Sequence, residues 1–247
     1  MTVSTRQIGG GSPMKRAIIV AAVVIWAAGT QPGIAQSVTA NAQVTKAPEG
    51  GAAATAYQLP FASTGNSIEL SIANAASLSV SGITVEATAV PSWIQFKETR
   101  QTLPLLKANQ ELPVLFTFSV DKKAPVGKEE SITFNIVSST GESWTKEILV
   151  TVAPPERFEL FHNYPNPFNP TTTISYQLPA DSRVRLKIFD LLGREVATVV
   201  DETEAAGYYQ KTFDATSFSS GMYVYQIVAT DKNGNRQVAR KAMMLVK

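Results

Sequence analysis

The sequence predicts an all-β protein made of two antiparallel β-sandwich domains in tandem, and three observations carry that expectation. Apolar residues alternate with polar ones at period two through much of residues 57–247, as strands with one buried face require. Clusters of Gly, Pro, Asn, Asp and Ser break the alternation about every 8–12 residues, where hairpin turns belong. Between Tyr57 and Ala153 no stretch has a convincing helical period.

The chain of 247 residues starts like an exported precursor. Lys15 and Arg16 form a short basic region, and Ala17 to Ala28 form an uncharged apolar run of 12 residues. Gly33-Ile34-Ala35 then supplies small residues where a signal peptidase reads. Residues 1–35 are therefore expected to be a signal peptide, with the mature chain beginning at Gln36. A bilayer core takes roughly 20 apolar residues, so a permanent anchor is the weaker reading. Thirteen residues precede Met14, among them Gly9-Gly10-Gly11-Ser12-Pro13. They supply nothing a signal needs, and Met14 is the expected true start.

Removing residues 1–35 takes away Arg6, Lys15 and Arg16 from 22 basic residues and none of the 20 acidic ones, leaving 19 against 20. A near-neutral mature chain has no electrostatic reason to seek nucleic acid or an acidic membrane face. The chain has no cysteine, which excludes disulfides and thiolate metal sites. Stability must come from hydrophobic cores alone. The remaining 212 of 247 residues, at about 100–150 per domain, suit two small domains.

Residues 36–54 read as a flexible linker. They are rich in Ala, Thr, Gly and Ser, with only Val38 and Val44 as larger aliphatics, too little apolar surface to order the segment. The first sandwich is expected over residues 55–153. Ile68, Leu70 and Ile72 alternate with polar neighbours, as do Val80, Ile83 and Val85 with a slip at Gly82. Pro91-Ser92-Trp93-Ile94 opens a strand whose indole is expected to fill the core. Phe116, Phe118 and Val120 share one face of the run Leu112 to Val120. Ala124-Pro125-Val126-Gly127-Lys128 is a tight exposed corner. Ile132, Phe134 and Ile136 alternate again, Ser138 to Glu142 turns, and Trp144, Ile148, Val150 and Val152 close the set.

Residues 154–156, Pro154-Pro155-Glu156, end that strand and form a short semi-rigid spacer. The second sandwich spans residues 157–247. Asn163-Tyr164-Pro165-Asn166-Pro167-Phe168-Asn169-Pro170 cannot be a helix, because each proline fixes φ and biases its predecessor to extended geometry. It is a stiff lead-in to the strand Thr171 to Leu178. Val184, Leu186 and Ile188 face one way and Arg183, Arg185 and Lys187 the other, a strand with one wet face. Asp190-Leu191-Leu192-Gly193-Arg194 turns, and Glu195 to Val199 returns. Further strands start at Gly207 and Gly221, and Asp231 to Asn235 turns into the terminal strand Val238 to Val246. Seven strands in about ninety residues is the size of an immunoglobulin-like domain.

These residues resemble the type A C-terminal sorting domain of the type IX secretion system. The family pattern has a Tyr-Pro-Asn-Pro lead-in, a strand ending in Asp/Asn-x-x-Gly, a glycine before an extended arm, Leu/Phe-x-x-Gly-x-Tyr, and a final strand with a lysine. This chain supplies Tyr164 to Pro167, Asp190 with Gly193, Gly207, then Phe218, Gly221 and Tyr223, and Lys241. The related immunoglobulin-like domain of flagellar hook-capping proteins shares much of the pattern, but such a protein would not carry a cleaved signal. The resemblance implies an immunoglobulin-like module that addresses an envelope protein to the outer membrane and cell surface through the periplasm. Its implied partners are the type IX translocon with its C-terminal signal peptidase and the signal peptidase of the general export route. A surface glycan or lipopolysaccharide would be a further partner. The 55–153 segment more loosely resembles the immunoglobulin-like modules that accompany sorting domains.

By physical role, Gly193, Gly207 and Gly221 suit positive φ or close backbone approach. Asn163 and Asn166 suit side-chain bonds to backbone groups left unpartnered by the prolines. Catalytic constellations fare badly. His162 is the only histidine, which leaves no spare base for a nucleophilic triad and too few ligands for zinc. Glu129-Glu130 and Asp201-Glu202-Glu204 read as solvated charge in turn-like stretches. Asp231-Lys232-Asn233-Gly234-Asn235 starts like a calcium loop but has Ala242 at the twelfth position, where a bidentate Glu belongs; Asn233-Gly234 instead signals a hairpin. No cofactor is expected.

The expected function is that of a non-catalytic secreted or surface protein, with the C-terminal domain directing export and the middle sandwich as structural or adhesive cargo. The alternative is a carbohydrate-binding accessory module, which requires Trp93 or Trp144 to face solvent.

Overall fold

The computed structural model describes residues 18–25 and 56–247. Within them every regular element is a strand. Chain contacts divide the protein into two units, one running to Asp121 and resuming over Lys128–Thr151, the other comprising Lys122–Gly127 and Val152–Lys247.

The first unit holds β1 (Ile18–Ile25), β2 (Tyr57–Leu59), β3 (Asn66–Asn74), β4 (Val80–Ala89), β5 (Ile94–Phe96), β6 (Arg100–Leu106), β7 (Glu111–Val120), β8 (Glu130–Val137) and β9 (Ser143–Val152). They form two sheets, in the orders β1-β3-β7-β5 and β2-β9-β8-β4-β6. Burial follows the alternation in the sequence. Ile68, Leu70 and Ile72 of β3 are buried, as are Val114, Phe116, Phe118 and Val120 of β7 and Ile132, Phe134 and Ile136 of β8. Phe96, Phe116 and Phe134 meet at the centre, with centroids 5.0 Å apart for Phe116–Phe134 and 6.0 Å for Phe96–Phe116. Gly82 has φ +58°, and an added Cβ would come within 3.0 Å of Ser139 Cβ; this is where Val80 and Ile83, three apart, both turn inward.

Trp93 and Trp144 are 6% and 5% exposed. The Trp93 indole N–H donates to Glu130 Oε2 at 3.1 Å, so the one polar atom of a buried ring is satisfied. Both indoles fill the core, contrary to what a sugar-stacking face requires.

The apolar run assigned from the sequence to an export signal supplies β1, which lies parallel to β3 with Ile18 opposite Ser67 and Ile25 opposite Asn74. Its β-branched composition suits extended backbone. The rest of that signal (Met14, Lys15, Arg16, Gly33 to Ala35) and the linker 36–54 lie outside the described residues.

The second unit holds β10 (Glu159–Leu160), β11 (Thr171–Leu178), β12 (Ser182–Phe189), β13 (Glu195–Glu204), β14 (Gly207–Asp214), β15 (Gly221–Asp231) and β16 (Arg236–Leu245). One sheet runs β10-β11-β14 and the other β13-β12-β15-β16, with antiparallel pairing throughout. Between them lie Ile174, Tyr176, Leu178, Val184, Leu186, Ile188, Tyr225, Ile227 and Leu245. Each such aliphatic side chain, taken fully from water, contributes about 1.5–3 kcal/mol before entropy is counted. Arg183, Arg185 and Lys187 stand on the outer face of β12, where Asp201 and Glu195 of β13 pair with them.

Candidate functional site

The proline-rich lead-in is held to the second sandwich at both ends. Asn163 is buried, and its backbone N–H donates to the Tyr225 hydroxyl at 3.0 Å. That hydroxyl donates onward to the Phe161 carbonyl at 2.9 Å. The Asn163 side-chain nitrogen donates to the Pro165 carbonyl and to Thr172 Oγ1, both at 3.0 Å. Thr172 Oγ1 donates in turn to the same Pro165 carbonyl at 2.8 Å. Tyr164 exchanges backbone bonds with Thr173 while its ring stands in solvent. The Tyr164–Pro165 and Asn166–Pro167 peptide bonds are cis.

Asn166 acts as a backbone surrogate beside β16. Its Oδ1 accepts from the Met244 N–H at 2.9 Å, and its Nδ2 donates to the Ala242 carbonyl at 3.4 Å. Two residues on, Phe168 N–H donates to the Met244 carbonyl at 2.9 Å and Val246 N–H donates to the Phe168 carbonyl at 3.0 Å. A single residue thereby extends the sheet past β16, and its ring is buried against Phe213. Pro170 closes the segment by accepting from Ala215 N–H at 2.9 Å, and Asn169 between them is exposed.

Asp190 organises the next element. Its Oδ1 accepts from Leu192 N–H at 2.9 Å and Arg194 N–H at 3.0 Å, and its Oδ2 accepts from the Arg194 guanidinium at 2.7 Å. Its backbone closes the turn with Arg194 and Gly193. Gly193 has φ +78°, a region L side chains avoid. The Arg194 backbone N–H, opposed by slight desolvation and joined by the guanidinium, holds the Asp190 carboxyl below the ordinary carboxylate range. Asp231-Lys232-Asn233-Gly234-Asn235 repeats the same hydrogen-bond scheme. The Asp231 carboxylate is thus spent on its own hairpin turn.

Gly207 and Gly221 open β14 and β15 with φ of +154° and +153°. Tyr223 donates its hydroxyl to the Ser219 carbonyl at 2.8 Å, with its ring edge-on to Phe218 at 6.0 Å. Lys241 Nζ lies 3.2 Å from His162 Nε2, tying the last strand to the residue before the lead-in.

Register decides which of these segments meet. Phe189 at the end of β12 lies opposite Val224 of β15, which lies opposite Ala242 of β16. Met222 faces Met244, and Phe168 bridges to Leu245. The lead-in, the Asp190 turn, Gly221 to Tyr223 and the end of β16 therefore gather at one end of one sheet. Gly207 does not join them; it lies opposite Leu178 in the other sheet.

One cluster went unread in the sequence. Asp201, Glu202 and Glu204 are in β13, and Glu204 is buried, in place of the solvated turn that was expected. The Tyr176 hydroxyl donates to Glu204 Oε2 at 2.7 Å, and Lys211 Nζ lies 2.8 Å from Oε1 and 3.1 Å from Glu202 Oε1. The Tyr176 ring stacks on Tyr209 at 5.5 Å. Burial first, then the bond to Glu204, pushes the Tyr176 hydroxyl far up. Desolvation pulls Lys211 down, but its bonds to Glu204 and Glu202 outweigh this and leave it raised. The available signal was Val200, four residues earlier and therefore on the same strand face. The cluster braces the sandwich, joining β11, β13 and β14. Among the described residues, no group of three or more His, Asp, Glu or Cys could hold a metal.

Residues 162–242 match the family model of the secretion system C-terminal sorting domain. The family is that of type IX secretion. The match takes in the lead-in, the Asp190 turn and β11 through most of β16; it begins after β10 and stops short of residues 243–247. No curated protein is similar to the chain in sequence. Among solved structures, the chain is similar to dimeric latent PorU from Porphyromonas gingivalis at 16% identity and a TM-score of 0.31, covering 67% of this chain and 16% of that one. A tetra-tandem repeat from the extending region of a large adhesion protein is 15% identical with a TM-score of 0.28, covering 69% and 43%. The YadV chaperone is 8% identical with a TM-score of 0.28, covering 76% and 98%. Likenesses at these scores carry no argument about function.

Proposed function

We propose that the second unit is the address by which the type IX machinery carries this protein across the outer membrane, and that the first unit is its non-catalytic cargo, structural or adhesive. The observation that carries the reading is the sorting-domain match over residues 162–242. It is supported by the gathering of the lead-in, the Asp190 turn, the Gly221 strand start and the last strand at one sheet end. A folded body carrying its signal in a surface constellation suits export after folding in the periplasm. The basic region and apolar run at the start of the chain supply the first step, delivery by the general export route. Removal of that signal would take β1 with it. The buried indoles of Trp93 and Trp144 speak against the carbohydrate-binding alternative.

The test is deletion of residues 157–247 in a bacterium with a type IX system. The truncated protein is expected to accumulate in the periplasm, while the full chain reaches the surface or the medium. Unchanged export after the deletion would refute the reading. Antibodies to each unit then show whether the sorting domain stays attached.

A further inference from the structure

The second unit exposes seven large hydrophobic side chains among the described residues: Tyr164, Leu191, Leu192, Met222, Val238, Met244 and Val246. All but Val238 lie at the sheet end where the sorting segments gather. Leu191 and Leu192 are the extreme case, 70% and 79% exposed at consecutive positions. Neither contributes to the core. The Asp190 carboxylate and backbone fix the turn that carries them through four hydrogen bonds and an ion pair. A rigid turn presenting two leucines to water lowers the ordering entropy of docking. Clustered exposed apolar groups of this kind mark binding surfaces.

The charge beside them is one-sided. Towards that sheet end, from Arg240 to Lys247, the chain carries Arg240, Lys241 and Lys247 and no acidic residue. The nearby acids are already engaged: Asp190 with Arg194, Glu195 with Lys187, and Asp214 with the Thr216 N–H and hydroxyl while it faces Lys247. Among the described residues, Arg240 bonds to a neutral side chain, Gln226. A cationic strand flanking an apolar tip fits an acidic rim around an apolar pocket.

We propose that this sheet end is a protein-docking surface, with Leu191 and Leu192 entering an apolar pocket of the secretion machinery and β16 facing its acidic rim. The proposal rests on the export reading above and adds where and by what chemistry the machinery grips the domain. Side chains buried at the centre of an interface carry most of its binding energy, and the surrounding charges set orientation and association rate.

The experiment follows export of the full chain in a bacterium with a type IX system, as the ratio of exported to periplasmic protein. The variants are Leu191→Ser with Leu192→Ser, Met222→Ser with Met244→Ser on the neighbouring strands, Arg240→Glu with Lys247→Glu, and Leu115→Ser as an exposed-leucine control on the first unit. Thermal unfolding of each purified chain checks the fold. The Leu191/Leu192 change is expected to lower the ratio at least tenfold, and each of the other two pairs about threefold or more, at unchanged melting temperature and with a normal Leu115→Ser control. Normal export of the Leu191/Leu192 variant, when deletion of residues 157–247 blocks export, would overturn the docking surface and leave the export reading standing. A harmless deletion would overturn both. Binding of the full chain to phosphatidylglycerol vesicles, lost in the Leu191/Leu192 variant, would overturn the protein partner in favour of a lipid surface.

Discussion

Replacing Tyr225 with Phe removes one oxygen from the centre of the second unit and leaves the ring in place. That hydroxyl accepts from the Asn163 N–H at 3.0 Å and donates to the Phe161 carbonyl at 2.9 Å, joining β15 to the lead-in across 62 residues of sequence. The Asn163 amide is buried, and an unsatisfied buried donor costs about 1–3 kcal/mol. The Phe161 carbonyl is partly exposed and can take a water, so it adds less than about 1 kcal/mol. The expected loss is about 2–3 kcal/mol, a fall on the order of 10 °C or more in melting temperature for a domain of this size. Tryptophan fluorescence would miss it, because none of Trp26, Trp93 and Trp144 belongs to the second unit. Hydrogen exchange read by mass spectrometry over residues 161–173 reports the lead-in itself. Tyr223→Phe is the control, since its hydroxyl meets an exposed carbonyl and its loss should cost no more than about 0.5 kcal/mol. If Tyr225→Phe costs as little as the control, the lead-in is not held by this bond and the reasoning fails.

Other expectations follow from the same geometry. The Tyr176, Tyr209 and Tyr225 hydroxyls are all raised, first by burial, above their ordinary value of 10.0, and Lys211 is raised above 10.5. The unfolded chain sheds these protons first, so stability is intact below about pH 10 and falls as pH rises beyond it; denaturation midpoints that stay flat through that range would contradict this. At the acid end, Asp190, Asp214 and Asp231 sit below their ordinary 3.8. Their stabilisation is present above that value and lost as pH falls through the depressed one, which acid titration by circular dichroism would follow. Gly193→Ala meets nothing within 4 Å but keeps φ +78°, so it should cost about 1–2 kcal/mol through backbone strain alone, measured by chemical denaturation. Acrylamide should quench Trp93 and Trp144 poorly in a chain carrying Trp26→Phe; free quenching would revive the carbohydrate-binding alternative.

Much of the second unit was legible because its information is local. Val184, Leu186 and Ile188 face the core as their spacing requires, and Asp-x-x-Gly-x marks both turns where Asp190 and Asp231 close them. Strand faces depend on a two-residue repeat and turns on four or five residues, so both can be read from neighbours alone. Glu204 was not legible. A carboxylate at a strand end looks solvated until Tyr176 and Lys211 arrive from other strands, 28 and 7 residues away in sequence, to satisfy it.

The sequence by itself determined the β class, the inward and outward faces, the turn positions and the lead-in motif that matches a sorting domain. Only the tertiary structure decided that Phe168 extends β16, that β1 lies along β3, that the Trp93 and Trp144 indoles are buried, and that six exposed apolar side chains share one sheet end. The physical reason is that these outcomes rest on register between strands far apart in the chain. Phe168 and Leu245 meet because antiparallel pairing carries β12, β15 and β16 into line, and a local alternation pattern fixes a strand's face but not its neighbour.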